Sequence, residues 1–583
     1  MIWHTAAAFG AAGAWLRWSV GWWPPLLLVV VAAGRRSRVA ALLAIFVLAG
    51  WLGDRAEAGL DPPPATNVEA WVVLTGDPRP SGPGGVRASA RWGSRRVSLS
   101  AHGPVAGRLD DALAGEQLHV VGAFRPARAD SWIRWRHEVG TIVVTEVRGH
   151  VAGSPLTNGA NAVRRLLQDG AASLDRDDRA VFFGMVVGDD REQSAVVADD
   201  FRAAGLGHLL VVSGQNVAFV LALLDPLTRR TRPATRLVLV ILTLLAFVTL
   251  IRFEASVLRA AVMAGAGVGA AVLGDPVDGR RALSLSVLLL VLIDPFLVRV
   301  LAFQLSVAAT AGIVWGSGPL AARLPGPAVV RVAVATTIAA QLAVAPLLIA
   351  TFGPIPLAGL PANVLAGPVS GPIMMWGCTG GVVAGLIGGS VAAVMHAPTD
   401  WLVGWIRAVA AGSARAPGYG VGWATWAMFC AALAAFVAGR GRITHLLAVG
   451  GAAAGVTLSL STVAIPPAGW SALGHGVSTH RSDTGTVMVL DDPGRPRDVL
   501  EVLRTNGVRT ASAVVATDGD RADADAVVAL RERFIGVAVL APPMHRVPGG
   551  RSVPEGIGIG VGGVVVELVE EASSVGLAVR VAD

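Results

Sequence analysis

The stretch RLVLVILTLLAFVTLI at residues 236–251 decides the class of this protein, because it carries no charged side chain after Arg236. An apolar run of this kind predicts a helix that crosses a membrane, since backbone polar groups in lipid must be satisfied within the segment itself. The whole chain supports that prediction. Of its 583 residues, 53% are hydrophobic and only 15% are charged, whereas a soluble domain has about 25% charged residues.

Apolar segments recur along the chain and predict a polytopic α-helical membrane protein with about 10–12 transmembrane helices. The candidates are 19–33, 39–53, 207–224, 236–251, 256–273, 282–300, 301–316, 329–350, 355–375, 377–396, 401–412, 422–438 and 443–463. The stretch 353–372 is so rich in proline and glycine that we expect a re-entrant or broken helix there. Arginine clusters between the apolar segments predict cytoplasmic loops, and this places the polar regions 61–150 and 466–583 outside the cytoplasm.

Changes in composition divide the chain into five predicted parts. They are N-terminal transmembrane helices (1–60), an extracytoplasmic β-domain (61–150), amphipathic interfacial helices (151–204), the main transmembrane domain (205–465) and an extracytoplasmic α/β domain (466–583).

The β-domain is predicted from short runs that alternate between apolar and polar residues. These runs are VEAWVVL (68–74), VRASARW (86–92), RRVSLSA (95–101), EQLHVVGAF (116–124) and TIVVTEV (141–147). Runs of this kind, separated by glycine, proline and aspartate, predict a small antiparallel barrel or sandwich. Five short strands in about ninety residues favour a barrel similar to an OB fold.

Arginine and tryptophan alternate within this β-domain. Every basic residue of the chain other than histidine is an arginine, and arginine binds phosphate bidentately. Arginines with aromatic platforms are typical of single-stranded nucleic-acid binding; an ordinary solvated strand face is the alternative. The DNA-binding candidates are Arg91, Trp92, Arg95, Arg96, Arg125, Arg128, Arg134, Trp135 and Arg136.

Polar side chains inside the apolar segments are candidates for a transport pathway, because such groups are costly in lipid and usually face a cavity or a partner. They are His208, Ser213, Gln215, Asn216, Arg252, Glu254, Arg259, Gln304, Gln341 and Asn363. We expect Arg252 and Arg259 to contact phosphates, with Glu254 holding one of them in place. Hydrogen bonding between helices is an equal alternative for Gln304 and Gln341, and a structural role is an alternative for His208.

Five blocks of the chain, in this order, resemble the ComEC competence family of DNA internalisation channel proteins. The blocks are RAVFFGMVVGDDREQ (179–193), FRAAGLGHLLVVSGQNVAF (201–219), FEASVLRAAVMAG (253–265), DPFLVRVLAFQLSVAATAG (294–312) and AAQLAVAPLLIATFGPIPLAGLPANVLAGP (339–368). The resemblance implies a multi-pass channel that passes single-stranded DNA across a bacterial cytoplasmic membrane during natural transformation.

The same resemblance implies several partners. They are DNA receptors and pilus-associated competence proteins, a nuclease, and a cytoplasmic helicase-like ATPase. The sequence contains no G-x-x-x-x-G-K-[ST] loop, so we expect the motor to be a separate protein. Membrane lipids and a second copy of the chain are further expected partners.

In the family, the C-terminal domain often resembles a metallo-β-lactamase, whose metal site needs a loop rich in histidine and aspartate. Here Asp518 and Asp523 stand where the family pattern has histidines, Ala522 replaces an aspartate, and Asp520 alone matches. We therefore expect no enzyme activity and no cofactor. A Mg²⁺ ion at Asp518, Asp520 and Asp523 is a weaker alternative, and a solvated first turn of a helix is the simpler one.

Two other functions stay open at this stage. One is a membrane-bound nuclease acting through the C-terminal domain, which would need metal ligands that the sequence does not show. The other is a small-molecule or lipid-linked transporter on the same scaffold, for which a neutral, dry membrane cavity would be the distinguishing feature.

Overall fold

The computed structural model describes residues 2–16, 38–81, 84–128, 134, 136–272, 274, 278–415, 420–438, 450–457, 468–483, 485–517, 521–542, 547–554, 557–561, 564–570 and 577–582. The chain folds into two compact units, and neither is one continuous piece of sequence. The first unit comprises Met1–Arg191, His208–Thr351 and Asn363–Gly404, and the second comprises Glu192–Gly207, Phe352–Ala362 and Trp405–Asp583.

A closed β-barrel in the first unit confirms the strands that were predicted from alternation. Its strands are β1 (Thr66–Leu74), β2 (Arg79–Pro80), β3 (Gly85–Trp92), β4 (Arg95–His102), β5 (Gln117–Pro126) and β6 (Glu138–Val151). The order β1-β5-β6-β4-β3 closes on itself because β1 also pairs with β3, and β2 extends one side. Among these described strands, β4 and β6 run parallel and the other pairs are antiparallel.

The barrel core follows from the two-residue period of a strand. Val97, Leu99 and Ala101 of β4 are fully buried, whereas Arg95 and Arg96 at its start are exposed. The helix Pro104–Asp110 lies between β4 and β5 in the chain and buries Leu109 in the same core. Alternation therefore separates an aliphatic interior from an outer surface that carries the arginines.

The helices of the chain are mostly apolar. Their bounds are Ile2–Leu16, Arg38–Ala58, Pro155–Gly170, Arg176–Val187, Ala195–Ala203, Gly214–Thr228, Pro233–Leu250, Ala255–Val272, Gly279–Ile293, Leu301–Gly312, Gly318–Ala321, Ala328–Phe352, Gly359–Trp376, Val382–Ile387, Gly389–Ala414 and Trp423–Ala438.

Six stretches of helix in the described part of the chain are long and apolar enough to cross a membrane. They are Val39–Ala58, Pro233–Leu250, Ala255–Val272, Leu301–Ala321, Ala328–Phe352 and Gly359–Ile387. They confirm a polytopic helical membrane protein, while the larger predicted total stays a prediction. The predicted span 19–33 lies outside the described residues, and 443–463 is described only at 450–457.

The predicted break within 353–372 is confirmed at its start, because the helix Ala328–Phe352 ends there, a two-residue strand follows at Ile355–Pro356, and the next helix begins at Gly359. The helix Gly359–Trp376 continues through Pro368 and Pro372, and a π-helical turn at Gly377–Gly381 carries it on to Ile387. A second interruption follows at Gly388 and Gly389, whose φ angles of 70° and 60° lie in the left-handed region that glycine tolerates best. The helix Gly389–Ala414 covers all of the predicted span 401–412 but only residues 389–396 of the predicted span 377–396.

The C-terminal part of the second unit is an α/β fold, as predicted. A six-stranded sheet has the order β14-β13-β12-β11-β10-β9, and a three-stranded sheet has the order β15-β16-β17. The strands are β9 (Gly469–Gly474), β10 (Val477–Arg481), β11 (Thr486–Leu490), β12 (Ala513–Ala516), β13 (Ala538–Ala541), β14 (Arg551–Ser552), β15 (Gly558–Val561), β16 (Val564–Glu570) and β17 (Leu577–Ala582). The helices Pro496–Thr505 and Arg521–Arg533 pack on the larger sheet. A short pair, β7 (Ile355–Pro356) with β8 (Gly420–Val421), also belongs to the second unit.

Close helix packing in the first unit depends on glycine. A Cβ atom added to Gly385 would overlap the carbonyl group of Leu166, and one added to Gly170 would lie 2.7 Å from the Gly385 nitrogen. Two helix backbones thus touch directly, which is the geometry that small residues permit in membrane proteins.

We predict that Gly385→Ala destabilises the protein by about 1–3 kcal/mol or more, because the two backbones must separate to admit a methyl group. Thermal unfolding of detergent-solubilised protein measures the change. The matched control is Gly404→Ala, also within a helix, where an added Cβ meets nothing within 4 Å. The control should stabilise the helix by about 0.5–1 kcal/mol, and equal effects of both substitutions would contradict the packing argument.

Candidate functional site

The outer surface of the barrel presents arginines at one end of strands β3 to β6. Arg91 lies opposite Arg96 across the β3–β4 pair, and Arg95 stands opposite Trp92 at the turn. Arg125 and Arg128 follow at the end of β5, and all five of these arginines are exposed. Exposed guanidinium groups so close together repel each other, so this surface is suited to an anionic ligand.

A buried carboxylate lies beside this arginine surface. Glu138, at the start of β6, is 3% exposed and accepts a hydrogen bond of 2.5 Å from the Ser89 hydroxyl. Burial raises the pKa of Glu138, and Arg136, Arg87 and Arg96 act in the opposite direction. The carboxylate therefore offsets part of the positive charge at one edge of the surface.

Some of the predicted DNA-binding residues have other roles in the structure. Trp92 packs against the barrel core with its ring centroid 5.6 Å from that of Phe124, so it is not a free stacking platform. Arg134 is buried and donates to Glu57 at 3.0 Å, because the loop between β5 and β6 turns toward the end of the helix Arg38–Ala58. Arg136 is exposed, and Trp135 lies outside the described residues.

That loop fixes the barrel to the ends of apolar helices. Besides the Arg134–Glu57 pair, His137 Nε2 lies 2.9 Å from Asp294 Oδ1, and its ring stacks near Phe296 with centroids 4.7 Å apart. Asp294 directly follows the helix Gly279–Ile293. The barrel arginines are thus carried by a domain that is bound to helix ends.

A buried ionic cluster makes the second connection between barrel and helices. Asp77, in the loop after β1, lies 2.9 Å from Arg252 Nη2 and 3.1 Å from Arg164 Nη2. Arg164 also contacts Asp189 at 3.0 Å, and Asp189 accepts two bonds from Arg191, at 2.7 and 2.9 Å. Two carboxylates therefore join three guanidinium groups from separate parts of the chain.

The electrostatics of this cluster favour the ionised forms of its acids. Burial opposes ionisation of Asp77, but Arg164 and Arg252 outweigh it and hold its pKa below the ordinary value. Asp189 behaves in the same way: burial is outweighed by its hydrogen bonds and by the charges of Arg191 and Arg164, so its pKa is lowered.

Arg164 also satisfies carbonyl groups at two helix ends. Its Nη1 donates to Val187 O at 2.9 Å and to Leu250 O at 3.1 Å, and these are the last residues of their helices. The four terminal carbonyls of a helix lack partners within the helix. One guanidinium therefore fastens two helix ends to the barrel loop.

The position of Arg252 differs from the expected contact with phosphate. Its guanidinium is taken up by Asp77 and by Asn161 Oδ1 at 2.7 Å, so it has a structural partner set rather than free donors. Arg252 and Phe253 both have left-handed φ angles, of 60° and 59°. Strain of this kind persists only where surrounding contacts enforce it, and the cluster supplies those contacts.

We expected Glu254 to hold Arg252 or Arg259 in place, but it does not contact either arginine in the structure. Its side chain is exposed, yet the surrounding protein desolvates the carboxylate and raises its pKa against the influence of Arg79 and Arg136. Those two arginines belong to β2 and to the loop before β6.

The Ser213–Asn216 segment begins a helix rather than forming a free polar group. Ser213 caps the helix Gly214–Thr228 by accepting from Gln215 N at 3.2 Å, and Asn216 donates to Met185 O at 3.0 Å. The Gln215 side chain is exposed. His208 lies earlier, exposed, in a single 3₁₀ turn at Gly207–Leu209.

The remaining pathway candidates lie in separate helices, where Gln304, Gln341 and Asn363 are half-buried and Arg259 is buried. Gln304 donates to Val298 O at 2.7 Å, which closes its own connecting turn instead of bridging to another helix. Gln341 lies in the helix Ala328–Phe352, and Asn363 in the helix Gly359–Trp376. Arg259 is 4% exposed and donates to Ser306 Oγ at 2.9 Å.

The second unit ties a segment of early sequence to the C-terminal α/β fold. Asp199, in the helix Ala195–Ala203, is 1% exposed and lies 3.2 Å from Arg504 and 3.8 Å from Arg533. Asp200 pairs with Arg533 as well. These ion pairs explain why Glu192–Gly207 belongs to the second unit and not with the other predicted interfacial helices.

The acidic loop of the α/β fold carries no metal site that the structure describes. Asp518 and Asp520 lie outside the described residues, and no group of three or more His, Cys, Asp or Glu suited to a metal occurs among the described ones. Asp523 is 0% exposed, so the expected solvated helix turn is wrong for this residue. It lies in the first turn of the helix Arg521–Arg533.

Sequence reasoning missed Asp77, Arg164, Asp189 and Asp199. Each lies in a polar segment, where a charged residue is normally solvated and draws no attention. Which acid meets which arginine depends on contacts between residues as far apart as Asp77 and Arg252.

Comparison with known proteins gives two matches and one negative result. Residues 185–445 match the family described as Competence protein. The chain is also similar to "ComE operon protein 3" of Bacillus subtilis (strain 168), with 26% identity over 237 residues, which are 40% of this chain and 30% of that relative. The chain therefore aligns with less than a third of that relative's length. No solved structure matches significantly.

We predict that Asp77→Asn costs about 3–5 kcal/mol of unfolding free energy, because Arg164 and Arg252 would stay buried with one carboxylate fewer. The pKa of Asp77 in the folded protein lies below its ordinary value of 3.8. On acidification, the Asp77 carboxylate is therefore protonated at a higher pH in the unfolded chain than in the folded protein. The stability that Asp77 contributes is thus present above about pH 4 and is lost as the pH falls through the folded pKa. Unfolding in detergent at several pH values measures both effects.

The control for that experiment is Arg148→Gln. Arg148 pairs with Glu69 and Glu146 on the exposed barrel surface, where an ion pair contributes about 0–1 kcal/mol. The role of the buried cluster in stability would be contradicted if Asp77→Asn had the same free energy of unfolding as this control and the same loss of stability at acidic pH as the unchanged protein.

Proposed function

We propose that this chain passes single-stranded DNA across a bacterial cytoplasmic membrane during natural transformation, a proposal supported by the match of residues 185–445 to the Competence protein family and by the similarity to "ComE operon protein 3". The observation that carries the proposal is the barrel: its exposed arginines sit on a domain fastened to the ends of membrane-spanning helices by two sets of ion pairs. A polyanion bound there is held next to the spanning region.

We propose further that the barrel is OB-like. Its closed strand order, its parallel β4–β6 pair and its helix between β4 and β5 support this. OB folds bind oligonucleotides on the face of their second and third strands and with two of their loops. In this chain those strands are β3 and β4, which carry Arg91, Arg95 and Arg96.

The nucleic-acid proposal is preferred to a small-molecule or lipid-linked transporter because of charge. Several exposed arginines in one region suit a ligand with repeated phosphates, and such binding is strongly salt-dependent. A helicase-like ATPase, DNA receptors and pilus-associated competence proteins, membrane lipids and a second copy of the chain are proposed partners.

We predict that a competent host lacking this protein still binds labelled DNA at its surface but does not internalise it. Complementation with Arg91→Gln/Arg95→Gln/Arg96→Gln should restore uptake only partly, because each lost phosphate contact weakens single-strand binding. For the purified protein, the slope of log affinity against log salt should fall by about 0.7 per contact.

Arg148→Gln is again the matched control, since it removes an arginine from the same barrel that is already paired with Glu69 and Glu146. It should leave uptake and the salt slope unchanged. Normal internalisation in the deletion strain would overturn the channel proposal and favour the small-molecule alternative.

We also propose that the C-terminal α/β fold, which the metallo-β-lactamase resemblance concerns, does not hydrolyse DNA. The sequence supports this, since Asp518, Ala522 and Asp523 replace the ligand types that the family pattern requires. The ion pairs of Asp199 and Asp200 support a structural role for this part of the protein instead.

We predict that Asp520→Ala leaves both DNA uptake and degradation of the second strand unchanged, because the remaining loop lacks zinc ligands. Gel analysis of DNA recovered from cells, with the unmodified strain in parallel, provides the measurement. Loss of degradation in this variant would favour the membrane-bound nuclease.

A further inference from the structure

Arg259 differs from the other buried arginines of the first unit in having no counter-charge. It lies in the second turn of the membrane-spanning helix Ala255–Val272 and is 4% exposed. Its Nε donates to Ser306 Oγ at 2.9 Å, and its Nη1 lies 3.7 Å from Met263 Sδ; both partners are neutral. Among the described residues, no carboxylate pairs with it.

A buried unpaired guanidinium is costly, and the cost is higher still within a membrane. The same fold shows what a structural arginine looks like, since Arg164, Arg191 and Arg252 each meet a carboxylate within 3.1 Å. Packing therefore explains those three and leaves Arg259 unexplained. A positive charge kept in this position calls for a negative partner that is not part of the described chain.

The free side of the guanidinium faces the start of another helix. A Cβ atom added to Gly214 would lie 3.0 Å from Arg259 Nη2, so this glycine allows the guanidinium to approach the backbone. Gly214 is the first residue of the helix Gly214–Thr228, and the N-terminus of a helix carries a partial positive charge that favours anions. The guanidinium and the first turn of this helix thus lie side by side at Gly214, although the Gln215 and Asn216 amides already donate to Ser213.

We propose that Arg259 and the N-terminus of the helix Gly214–Thr228 together bind one phosphate group within the membrane-spanning region. That the phosphate belongs to a DNA strand rests on the proposed function. A guanidinium binds phosphate through two parallel hydrogen bonds, and Nη2 has no acceptor among the described residues. Ser306 is a positioning residue, since it accepts the hydrogen bond from Arg259 Nε and so fixes the orientation of the guanidinium plane.

The decisive variant is Arg259→Met, which keeps the length of the side chain and removes its charge. Replacing a buried unpaired charge with an apolar side chain should raise the melting temperature in detergent. Uptake of labelled DNA should fall at the same time by roughly ten- to a hundredfold, as expected for the loss of one charge-assisted hydrogen bond. A purely structural arginine would lower the melting temperature instead.

Two further variants test the geometry. Arg259→Lys keeps the charge but not the fork, so uptake should lie between those of the Met variant and the unchanged protein. Ser306→Ala should reduce uptake less than Arg259→Met. The matched control is Arg236→Met. Arg236 lies in the first turn of the preceding spanning helix, is partly exposed, and already pairs with Asp225 at 2.9 Å. DNA uptake by cells carrying this variant should be unchanged.

The source of the phosphate is tested on the full-length protein in detergent. Inorganic phosphate and an oligothymidine are each added, and the rise in melting temperature is compared between the unchanged protein and Arg259→Met. A rise with either probe that requires Arg259 supports the site. If only inorganic phosphate raises the melting temperature, and the host takes up no DNA, the result supports an anion site at Arg259 but contradicts the proposed DNA transport.

A lower melting temperature in Arg259→Met, or unchanged uptake in that variant with normal membrane insertion, would overturn the proposed phosphate site while leaving the barrel-based DNA proposal intact.

Discussion

Asp77 and Asp189 bring three arginines from distant parts of the sequence to one buried point, and the first unit depends on that point. Arg164 reaches it from the helix Pro155–Gly170, Arg252 from the end of the helix Pro233–Leu250, and Arg191 from the segment after Val187. Buried charges are stable only when each has a partner. The ends of these helices and the barrel loop therefore have to be in place together.

This constraint gives the arginines of the protein two different roles. Arg134, Arg164 and Arg252 are committed to carboxylates and hold domains together. Arg91 and Arg95 on the barrel are exposed and have no carboxylate partner in the described chain, and Arg259 is buried without one. Electrostatics thus separates structural arginines from those available to a ligand, and the available ones lie on the barrel and in the membrane-spanning region.

The fold class could be predicted from the sequence because both kinds of secondary structure here have strong patterns. Apolar runs such as 236–251 need no knowledge of their neighbours to be recognised as spans, and two-residue alternation specified the strands of the barrel within a few residues. Proline and glycine were a weaker guide at 353–372. The chain leaves the helical conformation between Phe352 and Gly359, as expected, but the helix Gly359–Trp376 then tolerates Pro368 and Pro372.

The sequence by itself determined that this chain spans a membrane, that it carries a β-domain and an α/β domain, and which residues are polar at membrane depth. Local periodicity and composition are enough for those conclusions. Only the tertiary structure decided which charges are neutralised: Arg252 meets Asp77, 175 positions away, whereas Arg259 meets no carboxylate in the described chain. Ion pairing depends on distances in space that no local sequence pattern contains. An arginine can therefore form a structural ion pair at position 252 and be a candidate ligand-binding group seven residues later, at position 259.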